Sequence, residues 1–287
     1  MTLIALVPYK DGILSVSDSR CNTYTKDYKS IEEFEENVYR EDIKKTFISK
    51  DRSLVVSMSG AVELINKAVK AVLNESEELK RGNVNSINEL LASVIRSFNS
   101  NKQFVGATYE GGLLIAVKRI DGTIWPLAVT LNEDSVNIDT IDEKTFAKTG
   151  LALGVGDKAA AELEKMISKY SPDASARTKE DAMAIATMLE TVFMNKRLPM
   201  PTVLGDAHVY QVGAPIRMHT IEKDSQLDIL ISEDEVRKLK GSDFSAVKKA
   251  MEQKIKDSMK FVDKLKGYLK EDQRTQEPAK KPSKSAG

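Results

Sequence analysis

The chain begins with apolar and polar positions grouped in short, strand-like runs. Four such runs occur in the first sixty residues, at 3–8, 13–18, 46–49 and 53–59. Asp11-Gly12 separates the first two, and Asp-Gly between apolar runs is a strong hairpin signal. Lys50-Asp51-Arg52 separates the second two, and that segment ends at Gly60. The pattern therefore predicts two β-hairpins, with a polar, acidic loop between them that contains a short helix around 31–38.

Beyond Gly60 the apolar period changes to that of helices, with stripes from Ala61 to Leu73 and, after the capping-box sequence Ser86-Ile87-Asn88-Glu89, from Ile87 to Phe98. Further strands are predicted at 104–109, 113–119, 124–129, 136–141 and 147–154. Helices follow at 157–170 and 178–196, and strands at 207–212 and 216–222. Segregated runs of this kind predict an α+β fold in which sheets are sandwiched between helical layers.

Three regions differ in composition. Residues 1–222 contain these runs of strands and helices and are predicted to form one domain. Residues 223–270 form an extension with a short strand at 227–231 and an amphipathic helix at about 243–269. Residues 271–287 are mostly Lys, Pro, Gln and Ser, which predicts a disordered tail.

The composition of the chain argues against several classes of function. Lys+Arg and Asp+Glu are equal at 43 each among 287 residues, so no overall positive field favours nucleic acid or an anionic membrane. Cys21 is the only cysteine and excludes an internal disulfide. The longest apolar runs fall short of the ~18 residues of a membrane span, and no secretion signal is visible, so we expect a cytoplasmic protein. With two histidines, His208 and His219, the sequence predicts neither a Ser-His-Asp enzyme nor a metal site.

The most informative residue for chemistry is Thr2, directly after Met1. Removal of Met1 would leave a hydroxyl and a free α-amine on one residue, which is a nucleophile with its own base. If the two hairpins pair in one sheet with aligned ends, Asp18, Lys45 and Gly60 gather beside Thr2. Lys45 would stabilise an alkoxide on Thr2, and Asp18 would orient Lys45. Gly60 would let a backbone N–H approach a developing oxyanion.

Four short segments resemble the proteasome-like N-terminal-nucleophile hydrolases, the family of proteasome β-subunits and the HslV and Anbu peptidases. The segments are Thr2, Ser17-Asp18-Ser19-Arg20, Lys44-Lys45-Thr46 and Ser57-Met58-Ser59-Gly60-Ala61. The resemblance implies a four-layer αββα sandwich through about residue 222. It also implies Thr2 as nucleophile and base, Asp18 and Lys45 as its partners, Arg20 as a structural residue at the edge of the site, and Gly60 as oxyanion donor.

The same resemblance implies a threonine-type peptidase that acts on polypeptides inside a homo-oligomeric ring, without a cofactor and with an ATP-driven unfoldase as candidate partner. The chain departs from the family at two places. Val155 stands where family members carry a serine, and the acidic residue expected late in the helix 178–196 is not evident at Asn195, Lys196 or Arg197.

Three alternatives remain on sequence grounds. The first is a catalytically silent subunit of the same fold that serves assembly, and the second is an amidase for a small substrate. The third interprets Gly154-Val155-Gly156 as a dinucleotide-binding turn, although no βαβ unit surrounds it.

Overall fold

The computed structural model describes residues 2–23, 28–37, 39–60, 62–100, 111–132, 134–154, 158–194, 196–202, 205–222 and 227–275. The strands in this part of the chain are β1 (Ile4–Tyr9), β2 (Gly12–Ser17), β3 (Arg20–Thr23), β4 (Tyr39–Asp42), β5 (Thr46–Ile48), β6 (Leu54–Gly60), β7 (Gly111–Lys118), β8 (Ile124–Leu131), β9 (Val136–Thr140), β10 (Leu151–Leu153), β11 (Arg197–Thr202), β12 (Gly205–Tyr210), β13 (Ile216–Glu222) and β14 (Asp228–Ile231). The helices are α1 (Ile31–Asn37), α2 (Val62–Asn74), α3 (Ser76–Lys80), α4 (Val84–Ser100), α5 (Glu143–Thr149), α6 (Lys158–Tyr170), α7 (Lys179–Met194), α8 (Glu233–Leu239) and α9 (Phe244–Thr275).

Both predicted hairpins are confirmed. β1 and β2 pair antiparallel from Ile4↔Ser17 to Tyr9↔Gly12, so the Asp-Gly turn closes the hairpin as expected. β5 and β6 pair antiparallel with Thr46 opposite Ser57. The prediction that the two hairpins share one sheet is wrong, because each belongs to a separate sheet.

The two main sheets of the described residues have five strands each. In the first the order is β10-β1-β2-β13-β14, and in the second it is β5-β6-β7-β8-β9. Every pairing in both sheets is antiparallel. Two-stranded pairs, β3 with β4 and β11 with β12, lie outside them. The pair β3–β4 falls in the acidic segment that was predicted as a loop, where the apolar alternation is too weak to reveal it.

Three large apolar clusters pack the two main sheets and their helices, and a fourth, smaller one packs α1 on β12. One joins the first sheet to α6, α7 and α9, with Leu163, Ala186 and Val247 among its buried members. A second joins the second sheet to α2 and α4 through residues such as Leu64 and Leu91. A third contains Ile4 of β1 together with residues of β6, β7 and β8, so its side chains lie between the two sheets. The inner strands β1, β2, β6 and β7 therefore bury both faces, which explains their nearly continuous apolar runs.

Several local predictions need correction. The strand predicted at 147–154 is shorter, because Asp142 caps a helix at its N-terminus and α5 occupies the segment up to Thr149. Helix α4 begins at Val84, so the capping-box sequence at Ser86 lies inside the helix. Strand β11 and helices α3, α5 and α8 were not predicted. The strand predicted at 104–109 lies outside the described residues.

The C-terminal extension packs on the main body through the first half of α9. Val247, Met251 and Ile255 are buried in the same cluster as α7. The helix continues to Thr275, past the predicted start of the tail at 271, while 276–287 lie outside the described residues. None of the described helices is both long enough and apolar enough to cross a membrane.

Candidate active site

Thr2, Asp18 and Lys45 meet where the two sheets face each other. Thr2 lies just before β1, Asp18 just after β2, and Lys45 just before β5. The Thr2 hydroxyl donates to Asp18 Oδ1 at 2.8 Å, and Lys45 Nζ donates to the same oxygen at 2.9 Å. Lys45 Nζ also donates to Thr2 Oγ1. The three residues thus form a closed, hydrogen-bonded group at the ends of their strands.

Asp18 is fixed by backbone donors from three segments. Its Oδ1 accepts from the Leu3 amide at 3.0 Å, and its Oδ2 accepts from the amides of Arg20 at 3.0 Å and Gly213 at 3.2 Å. The side chain is completely buried. Because each donor belongs to a strand end or a connecting segment, the carboxylate has little freedom to turn away from Lys45.

Lys45 is held as firmly as Asp18. Besides Asp18 and Thr2, its ammonium group donates to the carbonyl oxygen of Arg20. Lys45 is only 3% exposed, and a buried charge of this kind must be paired and hydrogen-bonded to be tolerated. A fixed positive charge beside a hydroxyl favours the deprotonated hydroxyl, so this arrangement can activate Thr2 Oγ1 as a nucleophile.

A chain of four buried hydroxyls supports the site from between the sheets. Ser15 Oγ lies 2.7 Å from Ser57 Oγ, Thr46 Oγ1 lies 2.8 Å from Ser57 Oγ, and Thr46 donates to Ser17 Oγ at 2.9 Å. Since each hydroxyl has one proton to donate, the chain runs from Ser15 to Ser57 to Thr46 to Ser17. It links β2 of one sheet to β5 and β6 of the other, directly next to Asp18 and Lys45.

One acidic residue close to the charges of Asp18 and Lys45, Glu190 of α7, was not predicted from the sequence. It is completely buried, and neither carboxylate oxygen has a hydrogen-bond partner among the described residues. Burial raises the pKa of Glu190 well above its usual value, and the negative charge of Asp18 raises it further, while Lys45 acts in the opposite direction. The resemblance implied an acidic residue late in the helix 178–196, but it was sought near Asn195, Lys196 and Arg197. The available signal was a lone acid within the apolar stretch from Met188 to Phe193.

Gly154 lies against Thr2. A Cβ on Gly154 would overlap the carbonyl oxygen of Thr2 and would lie 3.1 Å from Ser59 Oγ. Its φ of +89° is also one that L side chains rarely adopt. Glycine at this position therefore lets the end of β10 approach the start of β1 closely. The next residue of interest, Val155, lies outside the described residues.

Gly60 and Arg20 are the other two residues that the sequence predicted at the site. Gly60 ends β6, is exposed, and has a φ of +116° that favours glycine. No hydrogen bond within the described residues joins it to Thr2. Arg20 contributes through its backbone, whose N–H and C=O contact Asp18 and Lys45. The structure therefore brings Thr2, Asp18 and Lys45 into direct contact.

The described residues contain no group of three or more His, Cys, Asp and Glu side chains arranged to hold a metal ion.

The two antiparallel sheets with their flanking helices match the fold of a solved structure of Anbu. Among solved structures, this chain is similar to an Anbu mutant from Hyphomicrobium sp. strain MC1, with a TM-score of 0.51 and 13% sequence identity. The match covers 91% of this chain and 97% of the other. The resemblance predicted from the sequence is thus confirmed at the level of the fold.

No protein-family model matches the sequence. No curated protein matches it either.

Proposed function

We propose that this chain is a threonine-type peptidase subunit whose nucleophile is the hydroxyl of Thr2, freed by removal of Met1. One observation carries the proposal: the Thr2 hydroxyl is hydrogen-bonded to Asp18 and contacts the ammonium group of Lys45, and both partners are buried. A threonine at a surface position without a function would have neither of these two buried partners. The shared fold with Anbu supports a hydrolase of this kind.

In the proposed mechanism, Thr2 Oγ1 attacks the carbonyl carbon of a peptide bond while the α-amine of Thr2 accepts the hydroxyl proton. Lys45 stabilises the negative charge on the oxygen before attack, and Asp18 keeps Lys45 in position. The oxyanion of the tetrahedral intermediate accepts a hydrogen bond from the Gly60 amide. The protonated amine then donates to the leaving nitrogen, and water hydrolyses the resulting Thr2 ester with the amine again acting as base.

The architecture proposed with this function is a four-layer αββα sandwich over residues 1–222, with 223–270 as an appended extension. The three apolar clusters, one between the sheets and one on each outer side, support this layering. We further propose a homo-oligomeric ring that encloses the sites, polypeptides as substrates and an ATP-driven unfoldase as partner. These three features are carried over from the family resemblance.

The burial of Thr2 favours a second candidate, a catalytically silent subunit that serves assembly. Thr2 is only 4% exposed, and its hydroxyl is engaged by both Asp18 and Lys45. In such a subunit the same hydrogen bonds would only tie the sheets together. The two candidates differ in whether the α-amine of Thr2 is free and whether its hydroxyl reacts.

Intact-mass measurement, N-terminal sequencing and treatment with a peptide epoxyketone test the proposal. We expect a mature N-terminus at Thr2 and one covalent adduct per chain, which the Thr2→Ala variant should not form. Thr2→Ser, which keeps a hydroxyl and an amine, should retain measurable hydrolysis of fluorogenic peptides. Retention of Met1, or a wild-type protein without an adduct, would favour the silent subunit.

A further inference from the structure

A small cavity shares residues with the proposed active site. Its volume is about 140 Å³, and it lies between the end of α7, the segment Val212 to Ala214, and α8. Arg20 and Gly213 form part of its wall. Both residues also donate backbone hydrogen bonds to Asp18 Oδ2. The cavity therefore shares the backbone of these two residues with the proposed site.

The side chain of Arg20 extends over Gly213. A Cβ on Gly213 would lie 2.5 Å from Arg20 Nε and 2.9 Å from one terminal nitrogen of the guanidinium group. Glycine at 213 therefore makes room for Arg20 to lie in the cavity wall. No carboxylate of the described residues forms an ion pair with Arg20, so its charge is available to a ligand.

The remaining charges of the lining are also mainly positive. Arg237 and Lys240 contribute two further cations, and Glu233 is the only acidic residue of the lining. Glu233 already pairs with Arg237 at 2.5 Å, whereas Lys240 has no ion-pair partner among the described residues. The lining thus carries a net positive charge, which attracts an anionic group.

Size and apolar lining limit what the group can be. Sites for drug-sized ligands usually measure about 300–1,000 Å³, so this cavity fits a single side chain better than a whole small molecule. Met194, Val212 and Val236 supply apolar surface beside the cations. A short hydrocarbon chain that ends in a carboxylate matches both features, and the side chains of Glu and Asp have this form.

We infer that the cavity is a subsite for an acidic side chain of the substrate, with Arg20, Arg237 and Lys240 as its cationic residues. The inference rests on the proposed peptidase function and adds a substrate class to it: peptides with Glu or Asp near the bond to be cleaved. Arg20 then has two parts in the site, because its backbone holds Asp18 and Lys45 while its guanidinium group contacts the substrate.

Peptide binding to the Thr2→Ala variant tests this subsite without requiring turnover. A set of labelled peptides carries a single Glu at each position in turn, and each has a Gln counterpart of the same size. We expect one Glu peptide to bind about 10-fold more tightly than its Gln counterpart, the size of one hydrogen bond to a charged group. Fluorescence anisotropy measures both affinities, and the preference should weaken at high salt.

Arg237→Gln with Lys240→Gln should bring the affinity ratio of this Glu–Gln pair close to one. A matched control, Lys165→Gln with Lys238→Gln, removes two cations that do not line the cavity and should keep the ratio. Equal affinities for every Glu and Gln pair would overturn the subsite. Two other results would also overturn it. One is a loss of the Glu preference in the control variant as large as the loss in the cavity variant, and the other is free glutarate that raises peptide affinity and does not compete with the Glu peptide.

The outcomes separate the subsite from the proposed function. If wild-type protein hydrolyses peptides without any preference for Glu in binding or turnover, the subsite fails and the peptidase remains. If the preference in binding is present while no peptide is hydrolysed and no epoxyketone adduct forms, the subsite stands as a binding site and the peptidase fails.

Discussion

Thr46 Oγ1 donates a hydrogen bond to Ser17 Oγ at 2.9 Å, and this bond joins two residues that each adjoin a member of the proposed site. Ser17 precedes Asp18, and Thr46 follows Lys45. The bond crosses from one sheet to the other, because Ser17 ends β2 and Thr46 begins β5. The relative position of Asp18 and Lys45 therefore depends on a neutral hydroxyl contact next to their ion pair.

Replacing Thr46 by Val should weaken both stability and activity. Val has nearly the same shape but cannot donate to Ser17 or accept from Ser57, which leaves buried hydroxyls without a partner. We expect a loss of about 1–3 kcal/mol in the free energy of unfolding, measured by urea titration. Peptide hydrolysis should fall mainly in kcat, because the hydroxyl chain positions Asp18 and Lys45 without touching substrate. Thr46→Ser should restore both, and failure of this rescue would contradict the positioning role.

Replacing one member of the ion pair between Asp18 and Lys45 should destabilise the protein more than the loss of the pair as a whole would suggest. Lys45→Met leaves a buried carboxylate unpaired, and Asp18→Asn leaves a buried ammonium group unpaired. Each variant should lose about 3–5 kcal/mol in the free energy of unfolding. The double variant should be less destabilised than the sum of the two single variants. Urea titration of all four proteins measures this coupling. All three variants should lose at least about 100-fold in kcat/KM. Strict additivity of the stabilities would show that the two side chains do not interact.

Glu190 should make the protein less stable as the pH rises. Its pKa is raised in the folded state, chiefly by burial, so folding takes up a proton at pH values above the ordinary pKa of 4.5. In that range the unfolded state binds fewer protons than the folded state, and the free energy of unfolding falls as pH increases until the folded pKa is reached.

The variant Glu190→Gln removes this titration while it keeps the size of the side chain. Its stability relative to wild type should therefore be higher at pH 7.5 than at pH 4. Thermal unfolding of both proteins across this range provides the comparison. A difference in Tm that stays constant with pH would show that Glu190 has no raised pKa.

A methyl group at Gly154 should disrupt the site because it would overlap the backbone of Thr2. Gly241 is a matched control: its φ of +78° is close to the +89° of Gly154, yet a Cβ on Gly241 meets no atom within 4 Å. Both Ala variants bear the strain of a positive φ, about 1–2 kcal/mol.

Gly154→Ala should lose further stability and most peptide hydrolysis, whereas Gly241→Ala should keep full activity. Thermal unfolding and hydrolysis assays on the two variants separate strain from overlap. Equal losses of stability and hydrolysis in both variants would mean that Thr2 tolerates displacement by the added methyl group.

The contact between Thr2 and Asp18 could be predicted from the sequence because it follows from one local hairpin. Asp11-Gly12 sets the turn, alternation sets the strands, and the register Ile4↔Ser17 then places the two residues side by side. The position of Lys45 was predicted for the wrong reason. The hairpin that follows Lys45 is local too, but Lys45 reaches Thr2 because a second sheet packs on the first. No short-range sequence pattern states which sheet a hairpin will join.

Glu190 shows what the sequence did not reveal. A lone acid within an apolar stretch of α7 indicates burial, but nothing in the neighbouring sequence states which charges Glu190 will lie beside. Its burial and its raised pKa exist only because α7 packs on the first sheet close to the charges of Asp18 and Lys45.

The sequence by itself determined the two hairpins, most of the helices and the presence of a threonine, an aspartate and a lysine at matching strand ends, because those features depend on neighbours within about twenty residues. The tertiary structure decided that the hairpins face each other from two sheets, that hydroxyls join those sheets, and that Glu190 and the Arg20 cavity lie beside the site. These depend on how distant segments pack to bury apolar surface, and packing is a property of the whole chain.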